Sequence, residues 1–191
     1  VLMAYFFYLM ALTVFSHKGL HFAQSAEIFA TGTYVSLIFS SIVMLRDVED
    51  GQYLYLLVFL AAWITDSFAY FSGRLFGRHK LIPDVSPKKT IEGAVGGMVF
   101  CILGFVGFGL LYNHFWIAEG STALPIWFMM LMGLFVSLVS QIGDLALSLL
   151  KRKYGIKDFG KILPGHGGVM DRMDGAVFLS VFIYFVFLIA F

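Results

Sequence analysis

Long apolar runs constrain the fold of this chain more than any other feature of its sequence. Stretches of close to 20 residues with very few charged side chains recur from end to end, and 60% of the 191 residues are hydrophobic. About 20 helical residues span the ~30 Å hydrocarbon core of a bilayer, and lipid cannot satisfy the exposed backbone groups of an open sheet. The sequence therefore predicts an all-α, polytopic integral membrane protein.

Six segments are predicted to be transmembrane helices, and they form a single membrane domain over residues 1–191. The first is short, and no basic segment precedes it, so we expect that the amino-terminal part of a longer protein is missing. The six segments are Val1–Phe15, Ile28–Leu45, Tyr53–Gly73, Ile91–Tyr112, Pro125–Leu150 and Gly175–Phe191.

The lysine and arginine residues predict how these helices are oriented. Residues 16–27, 74–90 and 151–174 hold 12 of the 13 basic residues, and only Arg46 lies in a loop on the other side. Cytoplasmic loops carry such an excess, so all three loops are predicted to face the cytoplasm. A bacterial inner membrane is the expected location. The aromatic residues suit lipid contact and packing, and nothing indicates a nucleic-acid partner.

Two carboxylates lie well inside predicted spans, away from their first turns, where each costs at least ~2.5 kcal/mol unless it is paired or hydrated. Asp66 precedes Arg74 by eight residues and Asp144 precedes Lys151 by seven, which is about 10 to 12 Å of helix. The two can therefore meet at one depth. They are either parts of a functional site or a structural polar contact between helices.

Asp66 and Asp144 each share a helix face with further polar residues. Ser148, Lys151 and Arg152 follow Asp144 at steps of three to four residues. Tyr70 and Arg74 continue from Asp66 in the same way. These stripes lead from each carboxylate toward a basic loop.

The first basic loop ends where a helix is predicted to begin. Lys88 and Lys89 precede that helix, with Ser86 or Thr90 as its cap and Glu92 in its first turn. A helix amino terminus beside two lysines suits phosphate oxygens. The alternative is that these charges only orient the chain in the membrane.

The second basic loop contains KDFGKILPGHGGVMDRMDG, residues 157–175. Its glycines surround His166 and allow the backbone to approach a ligand closely. Asp171 and Asp174 follow, and Mg²⁺ prefers such oxygen ligands together with substrate phosphates. Alternatively, His166 is an ordinary loop histidine, and Asp174 caps the last helix or pairs with Arg172.

From Ser148 to Asp174 the chain reads SLLKRKYGIKDFGKILPGHGGVMDRMD, which resembles the signature of the phosphatidate cytidylyltransferase (CDP-diacylglycerol synthase) family. The blocks TDSFAYFSGRLFGRHKL, SPKKTIEG and GDLALS resemble further family blocks in the same order. The likeness covers about residues 63–175, with the signature region at 143–175. Bacterial-type members usually carry Glu in place of Leu147 and Ser in place of Gly175.

The resemblance implies an enzyme that transfers CMP from CTP to phosphatidic acid, giving CDP-diacylglycerol and pyrophosphate. It also implies Mg²⁺, with room for a second cation, and it is compatible with a homodimer. Under this hypothesis Asp144 and Asp171 bind Mg²⁺, while Asp66 and Asp174 lie behind them or at the second cation. His166 shapes its loop or donates to the leaving pyrophosphate.

The residues expected to grip phosphates are the basic ones near these loops: Lys88, Lys89, Lys151, Arg152, Lys157 and Arg172. The remaining residues expected in the substrate site are Ser86, Thr90, Ser148, Asp158, Gly167 and Gly168.

Other functions stay open from the sequence. A relative could use CTP on another lipid phosphate or a polyprenol. A transporter or channel would also carry intramembrane carboxylates, although no inverted repeat is visible, and a nonenzymatic scaffold is a further alternative. The DGxxAR motif of the CDP-alcohol phosphotransferases is absent.

Overall fold

The fold is known from a computed structural model that describes residues 1–16, 21–48, 50–117, 123–156, 159–160 and 170–190. For residues 170–177 and 190 the description is limited to the helix backbone. The α-helices are α1 Leu2–Phe15, α2 Phe22–Arg46, α3 Gly51–Leu54, α4 Leu56–Phe76, α5 Ile91–Leu111, α6 Ile126–Lys153 and α7 Met170–Ala190. The strands are β1 Lys80–Ile82 and β2 Ser86–Thr90, and a π-helical turn, Tyr112–Trp116, follows α5.

Membrane-spanning length is reached by four helical segments within the described ranges. They are Phe22–Arg46, Gly51–Phe76, Ile91–Trp116 and Ile126–Lys153, and shorter apolar helices cover Leu2–Phe15 and Phe178–Ile189. The predicted class, an all-α polytopic membrane protein, is confirmed. The number of six spans stays a prediction.

Several predicted helix ends were wrong, because hydropathy marks the apolar part of a helix while the helix itself continues into polar turns. Helix α2 begins at Phe22, six residues before the predicted start. The predicted span Tyr53–Gly73 is divided at Tyr55, which separates α3 from α4. Helix α7 begins at Met170, so the segment around Asp171 and Asp174 is helical and not a loop.

The interior is formed where α5 lies against α4 and α6, with α7 completing the bundle. Fully buried side chains include Val58 on α4, Phe105 on α5 and Val136 on α6. Glycines bring α4 and α5 close together: a Cβ atom at Gly97 would lie 2.8 Å from the Thr65 carbonyl oxygen. Such small residues let helix backbones approach each other in a membrane.

Hydroxyl groups join α2 to the bundle. Ser41 Oγ donates to Ser180 Oγ at 3.0 Å, and Ser180 Oγ donates to the Ile38 carbonyl oxygen at 3.4 Å. Ser41 and Ser180 are both buried. Within a bilayer the hydrophobic effect does not drive helices together, because lipid tails are as apolar as the side chains. Hydrogen bonds between helices such as these therefore contribute to their association.

A β-hairpin forms between α4 and α5, where the sequence predicted only a basic loop. Strands β1 and β2 are antiparallel, with Lys80 opposite Thr90 and Ile82 opposite Ser86. Pro83 and Asp84 occupy the turn between them, and both residue types favour turns. This hairpin replaces the predicted irregular loop, and it carries the lysines Lys88 and Lys89.

Candidate active site

A cleft of about 310 Å³ lies where α4, the hairpin, α5 and α6 come together. Acidic, basic and small residues line it. They are Asp66, Ala69, Tyr70, Gly73, Arg74, Leu81, Lys88, Lys89, Thr90, Gly93, Ala94, Gln141 and Asp144.

The cleft brings together the two intramembrane carboxylates, Asp66 and Asp144. Asp66 lies ten residues before the end of α4 at Phe76, and Asp144 lies nine residues before the end of α6 at Lys153. At the rise of an α-helix these are similar depths, about 14 to 15 Å from each helix end. Two separate helices therefore deliver carboxylates into one space.

Asp144 is paired with a lysine of the hairpin. The Lys89 Nζ atom forms an ion pair with Asp144 Oδ2, and the two side chains are only 28% and 20% exposed. Ser148, one turn further along α6, donates to Asp144 Oδ1 at 3.4 Å. This half-buried carboxylate is compensated by a cation and a hydroxyl group, as an intramembrane charge requires.

Glu92 fixes the base of the hairpin. Its carboxylate accepts hydrogen bonds from the backbone N–H of Arg78 at 3.0 Å and of His79 at 3.2 Å. The His79 ring contacts it as well, with Nδ1 2.7 Å from Glu92 Oε1. The sequence predicted Glu92 only as a favourable charge at a helix amino terminus, so its contact with residues 13 to 14 positions away was missed.

Thr90 joins the hairpin to α5. Its Oγ1 accepts from the Gly93 N–H at 3.1 Å, which makes Thr90 the N-cap of α5 and decides between the two predicted caps. Thr90 is buried, and a Cβ atom at Gly73 would lie 2.8 Å from its Oγ1. Position 73 of α4 must therefore be glycine, because a larger side chain would collide with Thr90.

Tyr70 and Arg74 of α4 line the cleft with Asp66. Arg74 Nη1 donates to Tyr70 Oη at 3.3 Å. Their four-residue spacing predicted that they share the helix face of Asp66, although they were not among the predicted site residues. Gln141 of α6 was also missed, and its Nε2 donates to the Ala94 carbonyl oxygen at 3.2 Å.

Three other predicted site residues that the structure describes do not line the cleft: Ser86, Lys151 and Arg152. Ser86 is half-buried at the start of β2. Lys151 lies over the ring of Phe159, with Nζ 5.3 Å from the ring centroid, and Arg152 is exposed near the end of α6.

Part of the predicted signature is outside the described residues. This applies to Lys157, Asp158, His166, Gly167 and Gly168. For Asp171, Arg172 and Asp174 the structure gives the helix backbone, in the first two turns of α7, and no side chain. The assignment of Asp171 to a metal ion stays a prediction.

The described carboxylates suit magnesium in type, although they do not form a complete site. No cluster of three or more Asp, Glu, His or Cys side chains is close enough to hold a metal within the part of the chain that the structure describes. Mg²⁺ commonly takes one or two carboxylates and completes its shell with water and substrate phosphates. Asp66 and Asp144 in one cleft fit that requirement.

Comparisons with known proteins identify the family of this chain. The family model described as "Cytidylyltransferase family" matches residues 1–190. A phosphatidate cytidylyltransferase of Staphylococcus haemolyticus is 39% identical over 184 residues, covering 93% of this chain and 65% of the relative. A phosphatidate cytidylyltransferase of Bacillus subtilis is 36% identical over 181 residues, covering 93% of this chain and 64% of the relative.

The chain thus spans slightly less than two thirds of the length of these relatives. The match nevertheless extends over all of its described helices and over the cleft. On the family match and on these identities, the chain belongs to the cytidylyltransferase family.

Proposed function

We propose that this chain transfers CMP from CTP to phosphatidic acid, giving CDP-diacylglycerol and pyrophosphate for phospholipid biosynthesis. The observation that carries the proposal is the cleft itself, in which the carboxylates Asp66 and Asp144 lie with the cations Arg74, Lys88 and Lys89. The names of the relatives support the choice of substrates. A membrane lipid and a soluble nucleotide can meet only near the bilayer surface, and the cleft lies toward the ends of α4 and α6.

The proposed reaction needs no protein nucleophile. An oxygen of the phosphatidate phosphate attacks the α-phosphorus of CTP and forms the new P–O bond. The bond from the α-phosphorus to the oxygen that bridges it to the β-phosphorus breaks, and pyrophosphate leaves with that electron pair. The protein then has to neutralise charge and align the two phosphates.

The hairpin supplies cations for the phosphates. Lys88 and Lys89 border the cleft immediately before the amino terminus of α5, where backbone N–H groups and the helix dipole also favour anions. Both lysines are proposed to hold the triphosphate of CTP. Lys151, Arg152, Lys157 and Arg172 are proposed to neutralise the remaining phosphate charge from α6, the second basic loop and α7.

The carboxylates are proposed to hold magnesium, with Asp144 and Asp171 as ligands and Asp66 and Asp174 behind them or at a second cation. When bound, Mg²⁺ would draw charge from the triphosphate and lower the cost of pyrophosphate departure. Ser148 donates to Asp144 and is proposed to keep that carboxylate in position.

The cleft is proposed to face the cytoplasm, because the loops on its side carry the excess of lysine and arginine. A bacterial inner membrane is the expected location, and a homodimer the expected assembly. CTP is made in the cytoplasm, so this orientation gives the nucleotide direct access.

An assay with CTP labelled at two positions tests the proposal. Membranes containing the full chain are incubated with Mg²⁺, phosphatidic acid and CTP labelled at the α-phosphorus, and we expect label in the organic phase. With CTP labelled at the γ-phosphorus the label should stay in water as pyrophosphate. Transfer of the γ-label to lipid would indicate a kinase, and no transfer of either label would contradict the proposed function.

A panel of acceptors then tests the lipid. Phosphatidic acid should be preferred over an ether-linked lipid phosphate and a polyprenyl phosphate of matched micelle concentration. If the ether-linked lipid phosphate or the polyprenyl phosphate is preferred, the proposed transfer of CMP still holds, but phosphatidic acid is not the acceptor.

A further inference from the structure

We propose that Arg74 and Tyr70 of α4 form the anchoring site for the phosphate headgroup of the lipid substrate. This inference rests on the proposed function, and it divides the cleft into a lipid side on α4 and a nucleotide side on the hairpin. The ligand class is a lipid phosphomonoester with its acyl chains in the bilayer.

The first argument is the geometry of the pair. Arg74 Nη1 donates to Tyr70 Oη at 3.3 Å, and both side chains border the cleft that holds Asp144. A guanidinium group has five N–H donors, and this hydrogen bond uses one of them and draws the group toward Tyr70. The other donors can hold a phosphate with two parallel hydrogen bonds.

The second argument is what surrounds the pair. Tyr70 is 60% exposed and Arg74 is exposed, on the same helix end as a group of large exposed apolar side chains. These are Phe71, Leu75 and Phe76. In an apolar helix of spanning length, such side chains contact lipid, and arginine and tyrosine near a helix end place their polar groups at the headgroup level.

The third argument is that the basic residues on the hairpin side of the cleft differ from Arg74 in their partners and surroundings. Lys89 is paired with Asp144, and Lys88 belongs to β2 of the polar hairpin, whose β2 residues are serine, proline, lysine and threonine. A hairpin of this composition suits water and a soluble triphosphate. Arg74 is the basic residue of the described cleft lining that comes from a membrane helix, so a lipid headgroup rising from the bilayer meets it first.

Separate Michaelis constants for the two substrates test the assignment. In mixed micelles, Arg74→Gln should raise the KM for phosphatidic acid by roughly 10- to 100-fold, the loss of one charged bidentate contact, and leave the KM for CTP within about twofold. Arg74→Lys should be intermediate, because lysine keeps the charge but not the planar fork. Tyr70→Phe should raise the lipid KM by several-fold by releasing the guanidinium.

Arg78→Gln is the matched control, because Arg78 is also basic and exposed but its side chain does not line the cleft. It should leave both constants unchanged. Two outcomes would overturn the site by showing that only net charge matters. One is an equal rise in both Michaelis constants for Arg74→Gln. The other is wild-type constants for Arg74→Lys together with changed constants for Arg78→Gln.

Binding without turnover separates this inference from the proposed function. Fluorescent phosphatidic acid added to the detergent-solubilised full chain without CTP should bind, and Arg74→Gln should weaken that binding by the same factor. Inorganic phosphate should compete poorly, because it lacks acyl chains. Binding that is unaffected by Arg74→Gln overturns the anchoring site even if the chain transfers CMP. If the wild-type chain binds the lipid, Arg74→Gln weakens that binding and neither transfers CMP, the anchoring site is supported and the proposed reaction is rejected.

Discussion

At the scale of single residues, Asp144 is the most constrained side chain of the described cleft. It lies inside a long apolar helix, it is only 20% exposed, and it is balanced by Lys89 from a different element. A buried or half-buried carboxylate is costly unless it is paired. Its pairing with Lys89 compensates the charge, and its proposed role as a metal ligand is tested by substitution.

Asp144→Asn is expected to lower the rate of CMP transfer by at least about 100-fold, because it removes a preorganised charge from the reacting phosphates. The side-chain volume is nearly unchanged, so the elution profile in detergent should stay that of the wild type. Asp84→Asn is the control, since Asp84 is an exposed carboxylate at the hairpin turn. Transfer rates within about threefold of wild type in Asp144→Asn would remove Asp144 from the proposed metal site.

Relations between residues close together in the sequence could be predicted, whereas contacts between residues far apart in the sequence could not. The helix period placed Asp66 and Tyr70 on one face, and the structure brings both to the cleft. The ion pair between Lys89 and Asp144 joins residues 55 positions apart, and no local pattern indicates such a contact. The same applies to the hydrogen bond from Gln141 to Ala94.

At the scale of elements, the hairpin depends on one carboxylate at the start of α5. Glu92 holds the backbone of residues 78 and 79, and the same hairpin carries Lys88 and Lys89 to the cleft. The position of two cleft lysines is therefore coupled to a residue that does not line the cleft.

Glu92→Ala should loosen the hairpin, because two backbone N–H groups lose their acceptor. Trypsin should then cleave after Lys80 or Lys88 several-fold faster than in the wild type, since proteolysis reports local opening. Glu92→Gln keeps an acceptor oxygen and should be cleaved at an intermediate rate. Asp84→Ala, at the turn of the same hairpin, serves as the control, and equal cleavage of all these variants would contradict the coupling.

A second element-level feature is the close contact of α4 and α5. Gly97→Ala would place a Cβ atom 2.8 Å from the Thr65 carbonyl oxygen, so the helices must separate. We expect a loss of about 1 to 3 kcal/mol in stability, the usual cost of overpacking, seen as a lower midpoint of thermal denaturation in detergent.

Gly107→Ala is the matched substitution on the same helix. A Cβ atom at Gly107 has no neighbour within 4 Å, so the change should be neutral or slightly stabilising, because alanine favours a helix over glycine. If both variants melt at the same temperature, the glycine contact between α4 and α5 does not contribute to stability.

The elements themselves were largely predictable, because hydropathy depends on runs of apolar residues. Those runs gave the centres of α2, α4, α5 and α6. Helix ends in polar sequence were less predictable, as the early start of α7 shows. The hairpin was missed because β1 has only three residues, and Pro83 with Asp84 indicates a turn without indicating the strands that flank it.

At the scale of the whole molecule, the basic residues and the cleft are predicted to lie on one side of the membrane. The hairpin, the end of α4 and α6 all contribute residues to the cleft. Elsewhere Tyr53 and Trp116 stack with ring centroids 5.2 Å apart, and aromatic residues of these types are frequent at a membrane interface. The orientation of the molecule follows from charge and can be measured.

Cysteine labelling tests the orientation. In a Cys101→Ser background, Asp84→Cys should react with an impermeant maleimide only after the inner membrane is opened, because the hairpin is predicted to be cytoplasmic. Asp47 is exposed and predicted to lie on the opposite side, so Asp47→Cys should react in spheroplasts. The reverse pattern would mean that the cleft faces outward and would contradict the proposed access for CTP.

The pairing of Lys89 with Asp144 has a consequence for the binding of charged ligands. In this ion pair the charge of the carboxylate is compensated by a cation of the chain itself. Asp144 is proposed to hold Mg²⁺ and Lys89 to hold the triphosphate, so each proposed role would require the ion pair to open. We therefore expect the binding of nucleotide and the binding of metal to be coupled.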